Sequence, residues 1–190
     1  MPPFRLVTVR QNLAWSYGNL AMAVMAHDRG DSKYSTPHYM VRSKLYNGLN
    51  KETLKMGSFF KDEKLKMEMP KACCYCGTTE KLSLDHLVPR YHAGADTADN
   101  LVWACRHCNS SKRASDLLDW LAQVSRRPSL YLYRRYVKLA TCHCTELGMM
   151  EMTPEEALSA GCPFRLDLLI MWFPDPLTWT LWVLPESPAP

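Results

Sequence analysis

Apolar residues return at helical spacing near the start of the chain. Leu13, Leu20, Ala21, Val24 and Met25 fall three or four positions apart, which predicts a helix capped by Asn12, running towards His27 and ended by Gly30. A second, short helix is expected after Pro37, stopping near Gly48, with Asn50 placed to cap a third. In the middle of the chain the period changes. Leu82, Leu84, His86 and Val88 alternate as in a short strand, and residues 101–104 form an apolar run able to pair with it. Ala114, Leu117, Leu118, Leu121 and Val124 then share one face of a helix whose other face carries Asn109, Lys112, Arg113 and Asp116. Beyond it, Leu132, Tyr136, Leu139, His143 and Leu147 mark an amphipathic helix stopped by Gly148. Thr153-Pro154-Glu155-Glu156 reads as a capping box with proline in the first turn, and Gly161 closes that short helix. Residues 178–184 are expected to form a strand and the proline-rich end after Leu184 to be irregular. The order of elements is α+β: strand, loop, strand, helix, with helical additions on both sides. It divides the chain into a helical, basic region over residues 1–66, a central unit over 67–127, and a helical extension with an acidic, proline-rich end over 128–190.

Charge sharpens this division. The formal net charge is +4, but residues 1–138 hold 22 basic and 12 acidic side chains while residues 139–190 hold 1 and 7. A basic body suits a polyanionic partner such as nucleic acid, although a solvated lysine-rich face accounts for the same imbalance. Membrane association is not expected. Residues 13–26 are interrupted by Ser16, Tyr17, Gly18 and Asn19, a poor core for a signal peptide, and residues 164–184 are broken by Asp167, Pro174, Asp175 and Pro176.

Five of the eight cysteines lie in two knuckles, Cys73-x-x-Cys76 (with Cys74 inside it) and Cys105-x-x-Cys108; the others are Cys142, Cys144 and Cys162. Paired Cys-x-x-Cys knuckles supply tetrahedral thiolate coordination, so Cys73, Cys76, Cys105 and Cys108 are the expected ligands of a structural zinc ion. Clustering at metal spacing favours thiolates kept reduced in a cytoplasm over a secreted disulfide framework. The alternative is buried free thiols, and Cys74 offers a competing ligand. Cys142-His143-Cys144 hints at a second metal site, but adjacent helical residues point in different directions and core packing is favoured.

Between and after the knuckles stand Leu84-Asp85-His86-Leu87-Val88-Pro89-Arg90, Asp99-Asn100-Leu101-Val102 and Asn109-Ser110-Ser111-Lys112. Together with the knuckles these blocks resemble the HNH endonuclease family, in the family's order. The resemblance implies a ββα-metal core with a structural zinc clamp, and divalent-metal-dependent cleavage of phosphodiesters, most often in double-stranded DNA. It implies that His86 is the general base, that Asn100 steadies the loop, and that Asp85 and Asn109 hold a catalytic Mg²⁺ or Mn²⁺. The chemistry agrees: an imidazole accepts a proton near neutral pH, and a hard cation on oxygen donors stabilises charge on phosphate. Lys112, one helical turn beyond Asn109, is expected to meet the same phosphate. Strict alternation sends Asp85 and His86 to opposite faces, so the strand must end or bulge there. For His86 alone, a strand histidine satisfied within the fold is the competing account.

Arg113, Arg126, Arg127, Arg134 and Arg135, interleaved with Tyr131, Tyr133 and Tyr136, fit either phosphate contact or the basic flank of an amphipathic helix. His92, His107 and His143 are left as structural or phosphate-facing. A homodimer or a larger defence complex is the expected setting if both strands are cut, with phage defence or restriction the favoured role. The rival readings are a silent subunit of such a complex and a zinc module that binds nucleic acid without cutting it.

Overall fold

The computed structural model describes residues 5–184 of the 190; the expected irregular end after Leu184 lies outside them. The first helix, α1 (Val9–Arg29), begins earlier than the apolar period suggests. Thr8 caps it, its hydroxyl accepting from the Gln11 amide at 3.3 Å while the Gln11 side chain accepts from the Thr8 amide at 3.4 Å. Asn12 sits inside the first turn and donates to the Thr8 carbonyl at 2.8 Å. The cap is therefore a Thr/Gln box, which satisfies two orphan amides where an asparagine would satisfy one. Gly30, at φ 68°, ends the helix as expected.

Helix α2 (Thr36–Asn50) packs along α1. A Cβ on Gly18 would stand 2.9 Å from the Arg42 carbonyl oxygen, so the close approach of the two helices depends on its missing side chain. Asn50 closes α2 instead of capping a third helix; α3 (Phe60–Glu68) starts ten residues later, behind Phe59.

The two strands, β1 (Leu82–His86) and β2 (Leu101–Cys105), form an antiparallel pair in unbroken register from Leu82 opposite Cys105 to His86 opposite Leu101. The strand ends at His86 without a bulge, and Val88 lies beyond it. One helix was expected after the second knuckle, but there are two, α4 (Arg106–Lys112) and α5 (Leu117–Gln123). Arg113, at φ 52° and ψ −128°, turns the chain between them, and Asp116 caps α5 through its carboxylate, 2.7 Å from the Leu118 amide and 3.2 Å from that of Asp119.

Helix α6 (Leu130–Glu146) is the long central element, with Tyr131, Tyr133, Tyr136, Val137 and Ala140 fully buried. It packs on α1, and Ser16 of α1 meets the Tyr133 hydroxyl at 2.5 Å. The Thr153 capping box opens α7 (Pro154–Ser159) as expected. Residues 178–184 are not a strand. The Leu130 and Tyr131 amides donate to the carbonyls of Thr180 and Leu181, so this segment closes over the start of α6 as irregular chain. One apolar core joins α1, the strand pair, α5, α6 and the segment from Phe164 to Trp182. Among the described residues, no helix is long and apolar enough to cross a membrane.

Ion pairs fasten α3 to α6. Asp62, fully buried, accepts from Arg134 and Lys138 at 2.6 Å each. Arg135, also fully buried, pairs with Glu63 and donates at 2.6 Å to the carbonyls of Ala98 and Asp99, in the turn that precedes β2. Burial pushes its guanidinium down to about 10. For Arg134, Arg135 and the three tyrosines the fold thus favours the structural one of the two expected readings; Arg113, Arg126 and Arg127 stay exposed.

Candidate functional site

The first knuckle is a tight turn in which the Cys73 carbonyl accepts from the Gly77 amide at 2.8 Å, and the Cys74 amide donates to Trp103 of β2 at 2.9 Å. The second lies where β2 meets α4. Cys105 ends the strand and caps the helix, its sulfur accepting from the Cys108 amide at 3.4 Å. Pairing of β1 with β2 therefore brings both knuckles to one end of the hairpin. The sulfur atoms of Cys73, Cys76, Cys105 and Cys108 all lie within 4.8 Å of one another. Cys74 is buried away from them and is no competing ligand in this arrangement.

Those distances test the fit of a metal. Zinc–sulfur bonds of about 2.3 Å in a tetrahedron put sulfurs roughly 3.8 Å apart, and Cys76 and Cys105 are 3.8 Å apart. The donor set is also soft, which suits zinc. Burial pushes the Cys73 and Cys108 thiols above their ordinary range, a cost that binding a divalent cation as thiolates removes. The cluster is consistent with a zinc site. No comparable cluster forms around Cys142-His143-Cys144 among the described residues. Cys142 is exposed, His143 packs its ring 5.5 Å from that of Phe164, and Cys144 is buried beside Cys162.

At the other end of β1 the pleat sends Asp85 and His86 to opposite faces. Asp85 turns towards α4 and is buried. Its Oδ2 accepts from the Tyr75 hydroxyl at 2.6 Å and lies 3.3 Å from the Lys112 ammonium. Tyr75 comes from inside the first knuckle and rests its ring edge-on against Trp120 of α5, centroids 5.0 Å apart. Lys112 is fully buried and donates to the His86 carbonyl at 2.7 Å. This corrects its expected place beside a phosphate: the break at Arg113 ends α4 just after Lys112, leaving its side chain under β1.

Asn109 is one turn earlier on α4, half-buried, with its side-chain Nδ2 donating to the hydroxyl of Ser83 at 3.4 Å. Ser83 and Asp85 share a face of β1, so Asn109 approaches the face that carries Asp85. No described residue donates to Asp85 Oδ1 or to the side-chain Oδ1 of Asn109. Two hard oxygen donors therefore remain on one side of the hairpin, the kind a divalent cation takes, while the Lys112 ammonium already occupies the second Asp85 oxygen.

His86 faces the loop over residues 87–100, where its Nε2 meets Asp96 Oδ1 at 2.5 Å. That hydrogen bond, with the Arg90 guanidinium 3.7 Å away, holds the Asp96 carboxyl below its usual range. Asn100 clasps the loop. Its side chain accepts from the Val88 amide at 2.8 Å and donates to the carbonyls of Val88 and Ala95 at 2.9 and 3.0 Å. His92 and His107 are exposed, His92 edge-on to Tyr91.

Asp85, Asn109 and Lys112 thus lie on the face of the hairpin that packs on α4, while the His86 side chain and Asn100 belong to the loop side of the strand end. Sequence reasoning missed Asp96, Tyr75 and Ser83. Asp96 left a faint trace, an acid in a polar loop ten residues past the histidine. The contact of Tyr75 with Asp85 left none.

Comparison with known proteins agrees with this architecture. The pattern that defines the HNH endonuclease family matches residues 73–115. A CRISPR-associated endonuclease Cas9 from Corynebacterium diphtheriae is 39% identical over 57 residues, 28% of this chain and 5% of that protein's length. The chain therefore spans only a small piece of this curated relative. No solved structure matches the chain significantly.

Proposed function

We propose that this chain, whose residues 73–115 are an HNH endonuclease domain, hydrolyses phosphodiester bonds in DNA with water activated by His86. What supports this reading is the hairpin itself: Asp85 and Asn109 on the α4 face, the His86 imidazole at the strand end beside the loop clasped by Asn100, and the four-sulfur cluster at the other end. His86 accepts a proton from water as the water oxygen bonds to phosphorus and the bond from phosphorus to the leaving 3′ oxygen breaks. That oxygen leaves with a proton drawn from solvent. Asp85 and Asn109 would hold Mg²⁺ or Mn²⁺, which would supply positive charge to the phosphate. Lys112 fixes the strand end through the His86 carbonyl, and Tyr75 orients Asp85. Cys73, Cys76, Cys105 and Cys108 would hold a structural zinc ion, which would pin β2 and α4 to the first knuckle. Residues 67–127 carry the chemistry, and residues 1–66 and 128–190 supply a supporting helical body with a basic surface for double-stranded DNA.

Incubation of the purified protein with supercoiled plasmid and Mg²⁺ or Mn²⁺ tests this. Nicked or linear product is expected, abolished by EDTA. His86→Ala should keep zinc and fold while cleavage falls by about 10²–10⁴-fold. An inert wild type, or an unimpaired His86→Ala, overturns the reading.

A second reading is favoured by the match to a small piece of a much larger endonuclease. Here the chain is the nuclease subunit of a larger assembly, silent until it docks. Phage defence or restriction is the role we favour in either case, in the cytoplasm, where thiolate ligands stay reduced. One site cuts one strand, so double-strand breaks need a homodimer or successive nicks.

A further inference from the structure

The nuclease reading assigns His86 its task but leaves unexplained what holds the imidazole. His86 is the last residue of β1, where strand pairing stops, and its side chain leans away from the face that packs on α4. A ring at a strand end turns freely unless something outside the strand fixes it, and a general base must present one chosen nitrogen to water.

Asp96 occupies that place, and its position is built rather than incidental. The residues on either side of it are tied down by Asn100, whose side chain donates to the Ala95 carbonyl at 3.0 Å and whose amide donates to the Thr97 carbonyl at 3.0 Å. Upstream the loop doubles back so tightly that a Cβ on Gly94 would lie 1.8 Å from the Val88 carbonyl oxygen. The Gly94 amide donates to the Pro89 carbonyl at 3.1 Å. The carboxylate reaches His86 Nε2 at 2.5 Å with Oδ1, and its Oδ2 stands 3.7 Å from Arg90. An ionised carboxylate only accepts hydrogen bonds, so Nε2 carries the ring proton and Nδ1 keeps the lone pair.

From this geometry we infer that Asp96 is the positioning residue of the nuclease site: it accepts from His86 Nε2, fixes the ring, and makes Nδ1 the atom that takes the proton from water. The inference rests on the nuclease reading. It gives the Asn100 clasp a purpose, since the clasp holds the chain on both sides of Asp96, and it gives Arg90 the task of steadying the second carboxylate oxygen.

The test separates the cutting step from binding. Removing an acid beside a polyanion strengthens or leaves unchanged the affinity for DNA. A positioning loss slows the cut, by about ten- to hundred-fold, as losing groups that orient a reactive side chain commonly does. Zinc-loaded Asp96→Ala should therefore bind plasmid at least as tightly as wild type and nick it ten- to hundred-fold more slowly in single-turnover assays with Mg²⁺. Asp96→Asn, whose amide can donate as well as accept and so does not dictate the tautomer, should remain slower than wild type. Independently of activity, ¹⁵N-histidine-labelled, zinc-loaded wild type without Mg²⁺ should show a downfield, slowly exchanging ring N–H proton from His86, absent in Asp96→Ala.

A wild type that cuts together with an Asp96→Ala that cuts equally fast overturns the inference alone. So does a rate loss fully matched by weaker binding, or a ring proton indifferent to residue 96. A wild type that fails to cut, even with the Asp96-dependent proton present, overturns both the nuclease reading and the task given to Asp96.

Discussion

Lys112 shows how a single side chain can change its meaning once its surroundings are known. Spacing from Asn109 put it on a surface where phosphate binds; in the fold it is fully buried against Asp85 and the His86 carbonyl. Removing one member of a buried charge pair leaves the other uncompensated, which costs about 3–5 kcal/mol. Lys112→Met should therefore lower stability by about that amount in urea unfolding monitored without added Mg²⁺. A variant of unchanged stability and weaker DNA binding would return Lys112 to the surface role. The four-cysteine cluster was legible because its spacing is local. The partners of Lys112, Tyr75 and Asp96 were not, because each contact joins residues 10 to 27 positions apart through a pleat direction or loop path that spacing does not encode.

Among the elements, the hairpin and most helices follow from periodicity and capping, and the departures have local causes. The helix expected from Asn109 to Val124 is cut in two because Arg113 adopts φ 52° and ψ −128°, a conformation that side chains rarely enter. Nothing in an arginine announces this. The break frees Asp116 to cap α5 and to accept the Tyr136 hydroxyl at 2.7 Å, joining α5 to α6. Strain at such a residue costs about 1–3 kcal/mol and glycine gives back part of that gain as extra freedom when unfolded. Arg113→Gly is accordingly expected to raise stability by about 1 kcal/mol, read as a higher urea midpoint with an unchanged slope. A lower midpoint would mean that the arginine side chain, not the turn, sets the energy there.

At the scale of the whole molecule, one core spans the helical flanks and the central unit; Arg135 binds them, reaching from α6 to α3 and to the turn before β2, while the sulfur cluster closes the central unit on itself. A structural zinc ion contributes about 10–16 kcal/mol of folding energy, comparable to the whole stability of about 5–15 kcal/mol of a domain. The purified protein should carry one zinc per chain by elemental analysis, and Cys105→Ser should be insoluble or unfolded. A soluble, zinc-free, active Cys105→Ser would remove the metal from the account. Charge asymmetry and the apolar periods announced a helical body around a small hairpin. The buried ion cluster on Asp62 and Arg135 was hidden, since exposed and buried arginines look alike in a sequence.

The hydroxyl of Tyr75 has a consequence of its own. It leaves from within the first knuckle and ends on Asp85, so the two ends of the hairpin share one side chain. A disturbance of the sulfur cluster therefore reaches Asp85 directly through this shared ring, so the order of the knuckles and the placement of the buried carboxylate rise and fall together.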